Sequence, residues 1–290
     1  MKSLVSSLVC LLAAAASVQS ANIGFVSFHS ADNAPTAAAS SAGFTEAPDA
    51  GYTQLLEANG HSVTRIVTSA TPDTALLNSF DLVIISRSVP SGNYQNAGAT
   101  AWNSVSAPTM VLGGYVLRNS RMGFTTGGTI PDTVGAVTLT ATDPNHAIFS
   151  GITLDSANSL AYANEISFGG IVERGISVNT DPLAGGGVLL ATVGTAGDAA
   201  FGGMLIGEWQ AGATMGNGTA DTLAGHRMVF LTGTREHSGL TSEGAGIYDL
   251  TPEGAQLFLN SVSYMAVPEP SVVGLGALAV LLGAVCRRRR

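Results

Sequence analysis

Cysteine is almost absent from this 290-residue chain, and the two present lie at its ends, Cys10 in an apolar head and Cys286 in an apolar tail. The body between them has no disulfide framework, no cysteine-based metal site and no thiol nucleophile. Lysine is scarcer still, with Lys2 alone. Charge of any kind is low at 11%, and it is lopsided, 12 Lys+Arg against 20 Asp+Glu. Lys2 and Arg287-Arg288-Arg289-Arg290 are five of the 12, and setting them aside leaves seven basic residues against 20 acidic ones, or −13. A strongly acidic, lysine-free body argues against nucleic acid and anionic membrane as its partners. Signature motifs are missing too: no Gly-x-Ser-x-Gly elbow, phosphate loop, His-Glu-x-x-His or dinucleotide fingerprint occurs in the body. No pair of histidines has ligand spacing, so neither a metal nor a cofactor is expected. No internal repeat is found.

What is present is apolar content of 46% and 36 glycines. This is too apolar for disorder and reads as a well-buried domain with many tight turns. The head combines basic Lys2, an apolar run from Leu4 to Ala16 and the small-residue site Val18-Gln19-Ser20. It reads as a secretory signal peptide over 1–20, cut before Ala21. The alternative is an uncleaved N-terminal anchor.

The tail over 266–290 has three parts: Pro268-Glu269-Pro270, an apolar segment from Ser271 to Cys286, and Arg287 to Arg290. The flanking prolines favour extended backbone. As a helix, the 16 apolar residues reach about 24 Å at roughly 1.5 Å per residue. That is slightly short of a hydrocarbon core of about 30 Å, although a snorkelling arginine cluster allows a span. The arginines are expected to stay cytoplasmic, with the body outside. This order resembles the PEP-CTERM sorting signal of Gram-negative bacteria. The resemblance implies secretion machinery and an exosortase-type transpeptidase as partners. It also implies transient inner-membrane anchoring, then release to the outer surface or the extracellular matrix. A tail anchor that is never cut is the alternative.

About 250 residues remain for one large domain over 21–265. Strands are expected at 23–28, 61–67, 81–86 and 108–112, with helices near 52–58, 74–80 and 94–105 between them. The run Asp81-Leu82-Val83-Ile84-Ile85-Ser86 has the branched aliphatics of a central parallel strand. This alternation predicts an α/β fold, a flavodoxin-like parallel sheet with helices on both faces. Further strands are expected at 134–141, 187–193, 204–209 and 227–231. Residues 30–48 read as a loop, and 150–172 has no sustained period. Thr251 caps a last helix with Pro252 at its first position, and Ala255, Phe258, Val262 and Met265 form its apolar face.

The strand at 23–28, Leu56-Glu57-Ala58-Asn59-Gly60-His61, Phe80-Asp81-Leu82-Val83-Ile84, His146 to Ile152 and Gly207-Glu208-Trp209 follow one another in a familiar order. In this the body resembles the class I glutamine amidotransferase-like superfamily, in its trehalose-utilisation-type and exported branches. Enzymes of that superfamily carry a nucleophilic cysteine in a Gly-x-Cys-x-Gly elbow. The equivalent place here is Gly113-Gly114-Tyr115-Val116-Leu117, so Tyr115 stands where the resemblance puts the nucleophile. A phenol is ordinarily protonated at neutral pH and is a poor acyl nucleophile.

Open α/β sheets place ligands beyond the carboxyl ends of their strands. His29, Arg87, Tyr115, Arg118, Glu208 and His237 are expected at such ends and form a candidate ligand rim. His61, His146 and His226 read as ordinary turn or strand-boundary residues. The sequence favours an exported, non-catalytic binding or structural module, with polysaccharide as a possible partner. The alternative is a carbohydrate-active or other hydrolytic enzyme with Glu208 and His237 as its acid/base pair.

Overall fold

A computed structural model of the chain describes residues 20–266. The expected signal peptide and sorting tail therefore fall outside the described residues, apart from Ser20 and Ala266. Among the described residues no helix is long and apolar enough to cross a membrane.

The first half alternates strands and helices: β1 (Asn22–Ser27), α1 (Ala37–Ser41), α2 (Ala50–Ala58), β2 (Ser62–Val67), α3 (Thr74–Leu77), β3 (Leu82–Ile85), α4 (Ala97–Asn103) and β4 (Thr109–Val111). The second half is mostly strand: β5 (Val137–Ala141), β6 (Ser159–Ala163), a small hairpin of β7 (Ser167–Phe168) and β8 (Ile171–Val172), β9 (Val188–Val193), β10 (Met204–Trp209) and β11 (Arg227–Phe230). The chain closes on α5 (Pro252–Ala266).

Local chemistry explains the clearest elements. All four aliphatic residues of β3 are buried, as a strand covered on both faces requires. Thr251 caps α5, its hydroxyl accepting from the Gly254 amide at 3.0 Å. Phe258, Val262 and Met265 of that helix are buried, and Ala255 packs at the core margin. The helix expected over 94–105 divides into a 3-10 turn at Ser91–Tyr94 and the shorter α4. α3 stops at Leu77 rather than running to Phe80. The segments read as loop and as aperiodic hold α1 and β6–β8 respectively.

Nine strands form one sheet in the order β2-β1-β3-β4-β11-β10-β9-β5-β6. The expected parallel arrangement holds for the first five, β2 to β11. It fails for the rest, where β10, β9, β5 and β6 each pair antiparallel with their neighbour. The cause is connection chemistry. Parallel neighbours need a crossover, usually a helix, whereas antiparallel neighbours can be joined by a loop. No helix lies between β9 and β10 or between β5 and β6 beyond a single 3-10 turn.

Helices cover both faces of the sheet. On β11, Phe230 stacks edge-on against Phe258 of α5, while Arg227, three residues earlier and so on the other face, is buried under α4. Its guanidinium donates to the carbonyls of Val105 and Ala107, beyond the end of α4, the Ala107 bond at 3.2 Å. The tyrosine pair Tyr52 and Tyr248 and the ring of Phe258 tie α2 to α5.

Strand register brings the functional edge together. Val26 pairs with Ile85, Ile85 with Val111 and Val111 with Val229, so β1, β3, β4 and β11 end in one row. Two buried carboxylates brace the loops that leave this row. Asp49 Oδ2 accepts from the hydroxyls of Ser27 at 2.7 Å, Ser86 at 2.6 Å and Ser88 at 2.9 Å. Asp249 Oδ1 accepts from Thr232 Oγ1 at 2.7 Å, Tyr52 Oη at 3.1 Å and the Gly233 amide at 3.1 Å.

Candidate functional site

Immediately after β4 the chain enters a 3-10 turn over Gly114–Val116. A Cβ on Gly114 would lie 2.1 Å from the Ser177 carbonyl oxygen, so only glycine lets the turn press against that segment. The turn presents Tyr115 at the strand-end row. Three guanidinium groups, those of Arg87, Arg118 and Arg235, each sit 5.2 Å from its ring centroid. Arg87 follows β3, and Arg235 follows β11. Gly233 makes room for this: its φ is +81, and a Cβ there would lie only 3.1 Å from that of Arg87.

Beside this cluster opens a cleft of about 310 Å³, lined among others by Arg87, Ser91, Tyr115, Arg235 and Glu236. Val89 and Pro90 supply an apolar wall. Glu236 is the shared carboxylate. It lies 2.9 Å from Arg174 Nη2, 3.8 Å from Arg87 Nη2 and 3.9 Å from Arg235 Nε. Arg235 donates to Asp132 at 2.7 Å. Burial lowers the pKa of Arg235, but the bond and charge of Asp132 carry it above its ordinary value. Arg118 has no carboxylate partner among the described residues. It donates to the Tyr115 carbonyl at 3.0 Å and to Ser91 Oγ at 3.1 Å. Burial first, and the Arg121 charge second, lower its pKa.

Arg87 is the anomaly. Its side chain is 6% exposed. Its Nε is buried without a hydrogen-bond partner, and so is Glu236 Oε2 facing it. Burial lowers its pKa, with the Glu236 charge opposing. Four of the seven described arginines, Arg87, Arg118, Arg174 and Arg235, thus converge where Asp132, Glu173 and Glu236 are the facing carboxylates.

The structure gathers some of the expected rim and scatters the rest. Arg87 and Tyr115 line the cleft, and Arg118 stacks on Tyr115. His237 sits beside it. Its Nδ1–H donates to the Ser238 carbonyl at 2.9 Å, and its Nε2 lies 4.0 Å from Glu173 Oε1. Burial raises the Glu173 pKa, with the His237 charge opposing. His29 is buried and ties two loops together, its Nδ1 accepting from the Thr36 amide at 3.1 Å and its Nε2 donating to the Glu243 carbonyl at 3.0 Å.

Glu208 lies elsewhere. Because β10 runs antiparallel, its carboxyl end is at the opposite edge, with Glu208 paired to Met228 at the start of β11. Glu208 and His237 therefore flank β11 from opposite ends. Glu208 accepts from His226 Nε2 at 2.6 Å and Tyr264 Oη at 2.8 Å, with His146 Nε2 at 3.4 Å. Burial pushes its carboxyl up, but these bonds and the neighbouring histidines bring it below its ordinary value. His146 and His226, read as ordinary boundary residues, are thus partners of one carboxylate.

Sequence reasoning missed Arg174, Asp132, Glu173, Arg235 and Glu236. Arg235 and Glu236 were findable, since they directly precede His237 after a clear strand. The others come from segments without a period.

No family model matches the chain, and no curated protein matches it. Solved structures resemble it at low identity. A cytoplasmic protein from Salmonella typhimurium is 11% identical, with TM-score 0.44, over 84% of this chain and 98% of that one. A protein described as ThuA-like, from Bacteroides uniformis, is 10% identical, with TM-score 0.49, over 86% of this chain and 92% of that one. A GMP synthase-type protein from Thermoplasma acidophilum is 11% identical, with TM-score 0.37, over 86% of this chain and 95% of that one.

Proposed function

We propose that this chain is an exported, non-catalytic binding module, carried to the cell surface or the exopolysaccharide matrix by its sorting tail. One observation carries the non-catalytic part. The position after β4, where the resemblance puts a nucleophile, holds Tyr115 among three guanidinium groups, each 5.2 Å from its ring. Arginine donates hydrogen bonds but does not shuttle protons at neutral pH. Glu236, the carboxylate of the cleft, is shared among three arginines rather than held against a nucleophile. Glu208 and His237 lie at opposite ends of β11 and supply no acid/base pair. The export part rests on the tripartite tail, the head and the acidic, lysine-free body.

Fractionation of the native host, with mass spectrometry of the mature termini, tests this reading. The expected product starts at Ala21, lacks the arginine cluster and lies in the envelope or matrix. Absence from both fractions refutes export, and an intact Arg290 at the surface refutes processing. Glutaminase or glycosidase activity that Tyr115→Phe abolishes refutes the non-catalytic assignment.

A further inference from the structure

Building on that reading, we infer that the cleft beside Tyr115 binds a small organic anion, whose carboxylate is held by Arg87 and Arg235. The described body carries seven arginines against 19 Asp and Glu residues, yet two of the seven, Arg87 and Arg235, line this cleft, and Arg118 and Arg174 contact its Tyr115 and Glu236. Its sign is inverted relative to the rest of the molecule. Three guanidinium carbons lie 5.2 Å from one centroid, hence within about 10 Å of each other. Like charges this close repel one another. Glu236 and Asp132 offset part of this, but Arg118 has no carboxylate partner among the described residues and Arg87 has only Glu236 at 3.8 Å.

Arg87 points to the ligand. It is 5% exposed, lines the cleft, and makes no hydrogen bond to the protein among the described residues. Its Nε is sealed and orphaned, and its Nη groups, which keep some exposure, make no hydrogen bond to the described residues either. A buried, unsatisfied charged donor is costly, and a carboxylate matches its planar fork. The volume of about 310 Å³ is at the small end for ligand pockets, near one sugar-sized molecule. Val89, Pro90 and the Tyr115 ring line it, giving a carbon skeleton something to pack against. A bare inorganic ion leaves that wall unused.

Calorimetric titration of the full chain tests this, with sodium D-glucuronate as the probe. Inorganic phosphate, sulfate and neutral D-glucose are the comparison ligands. Saturable glucuronate binding is expected, weakened about tenfold or more by Arg87→Met and by Arg235→Gln. Arg121→Gln, which removes the same charge outside the cleft lining, is expected to leave it unchanged. Circular dichroism reports whether Arg87→Met folds, and the more exposed Arg235→Gln keeps the test decisive if it does not. Absence of glucuronate binding, equal binding of glucose, tighter binding of phosphate or sulfate, or indifference to both cleft variants overturns the inference. A protein found in the matrix that binds no anion overturns only this inference. One that binds glucuronate but never leaves the cytoplasm overturns only the export reading.

Discussion

Replacing Asp249 by asparagine should remove about 3 kcal/mol of the stability loss that the protein undergoes between about pH 4 and pH 7. Asp249 is fully buried, and burial raises its pKa from 3.8 to about 6, against the lowering effect of its bonds from Thr232 and Gly233. The folded state therefore holds this proton more tightly than the unfolded chain. Between pH 3.8 and about 6 the native form binds more protons, so stability falls as pH rises through that window. Two pKa units correspond to about 3 kcal/mol, fully imposed above pH 6 and absent below pH 4. Asparagine keeps an Oδ1 that accepts from Tyr52, Thr232 and Gly233. It replaces the orphaned Oδ2 by an amide whose N–H groups find no new acceptor, costing about 1–3 kcal/mol at every pH. The fixed cost cancels when the variant is compared with itself across pH. Urea unfolding of both proteins at pH 4 and 7.5 should therefore show the variant gaining about 3 kcal/mol relative to wild type. Parallel stability curves would refute the raised pKa.

Glu208→Gln should cost about 2 kcal/mol at pH 7, from weakened bonds to His226 and Tyr264. The Glu208 pKa is lowered, so its contribution is present above the unfolded carboxylate range and lost in acid. The gap between variant and wild type should close below pH 4 in urea titrations. Thr251→Ala removes the cap of α5 and the 2.8 Å bond to the Ala161 carbonyl, costing about 2 kcal/mol by chemical denaturation. Gly114→Ala forces a methyl against the Ser177 carbonyl, with an expected loss of about 3 kcal/mol and a lower Tm.

Where the sequence could be read, chemistry was local. β3 announces itself by four branched aliphatics, and α5 by its Thr-Pro start and apolar face. The antiparallel half could not be read this way. β10 is buried along its whole length, as a central parallel strand would be. Direction is a property of the connections, not of the strand. That single reversal moved Glu208 to the far edge, away from His237. Arg87 and Tyr115 followed from the strand-end rule, because β3 and β4 do run parallel. Arg174 could not, since it comes from a segment whose place against Glu236 is fixed only by long-range packing.

The buried carboxylates and the cleft belong to one construction. Arg87 lies between Ser86 and Ser88, whose hydroxyls both donate to Asp49. Arg235 follows Thr232 and Gly233, both of which donate to Asp249. Each of these two cleft arginines is therefore carried by a loop whose neighbouring residues are fixed to a carboxylate below the row of strand ends. With the backbone around them fixed in this way, the two guanidinium groups are held close together, and Glu236 and Asp132 offset only part of their repulsion. A site held this way loses little side-chain freedom on binding, which is how a small cleft gains affinity from few contacts. Weakening a carboxylate hub should then loosen the arginines before it unfolds the sheet. The Asp49 and Asp249 networks thus lie on the path from sequence to ligand, although neither touches the cleft.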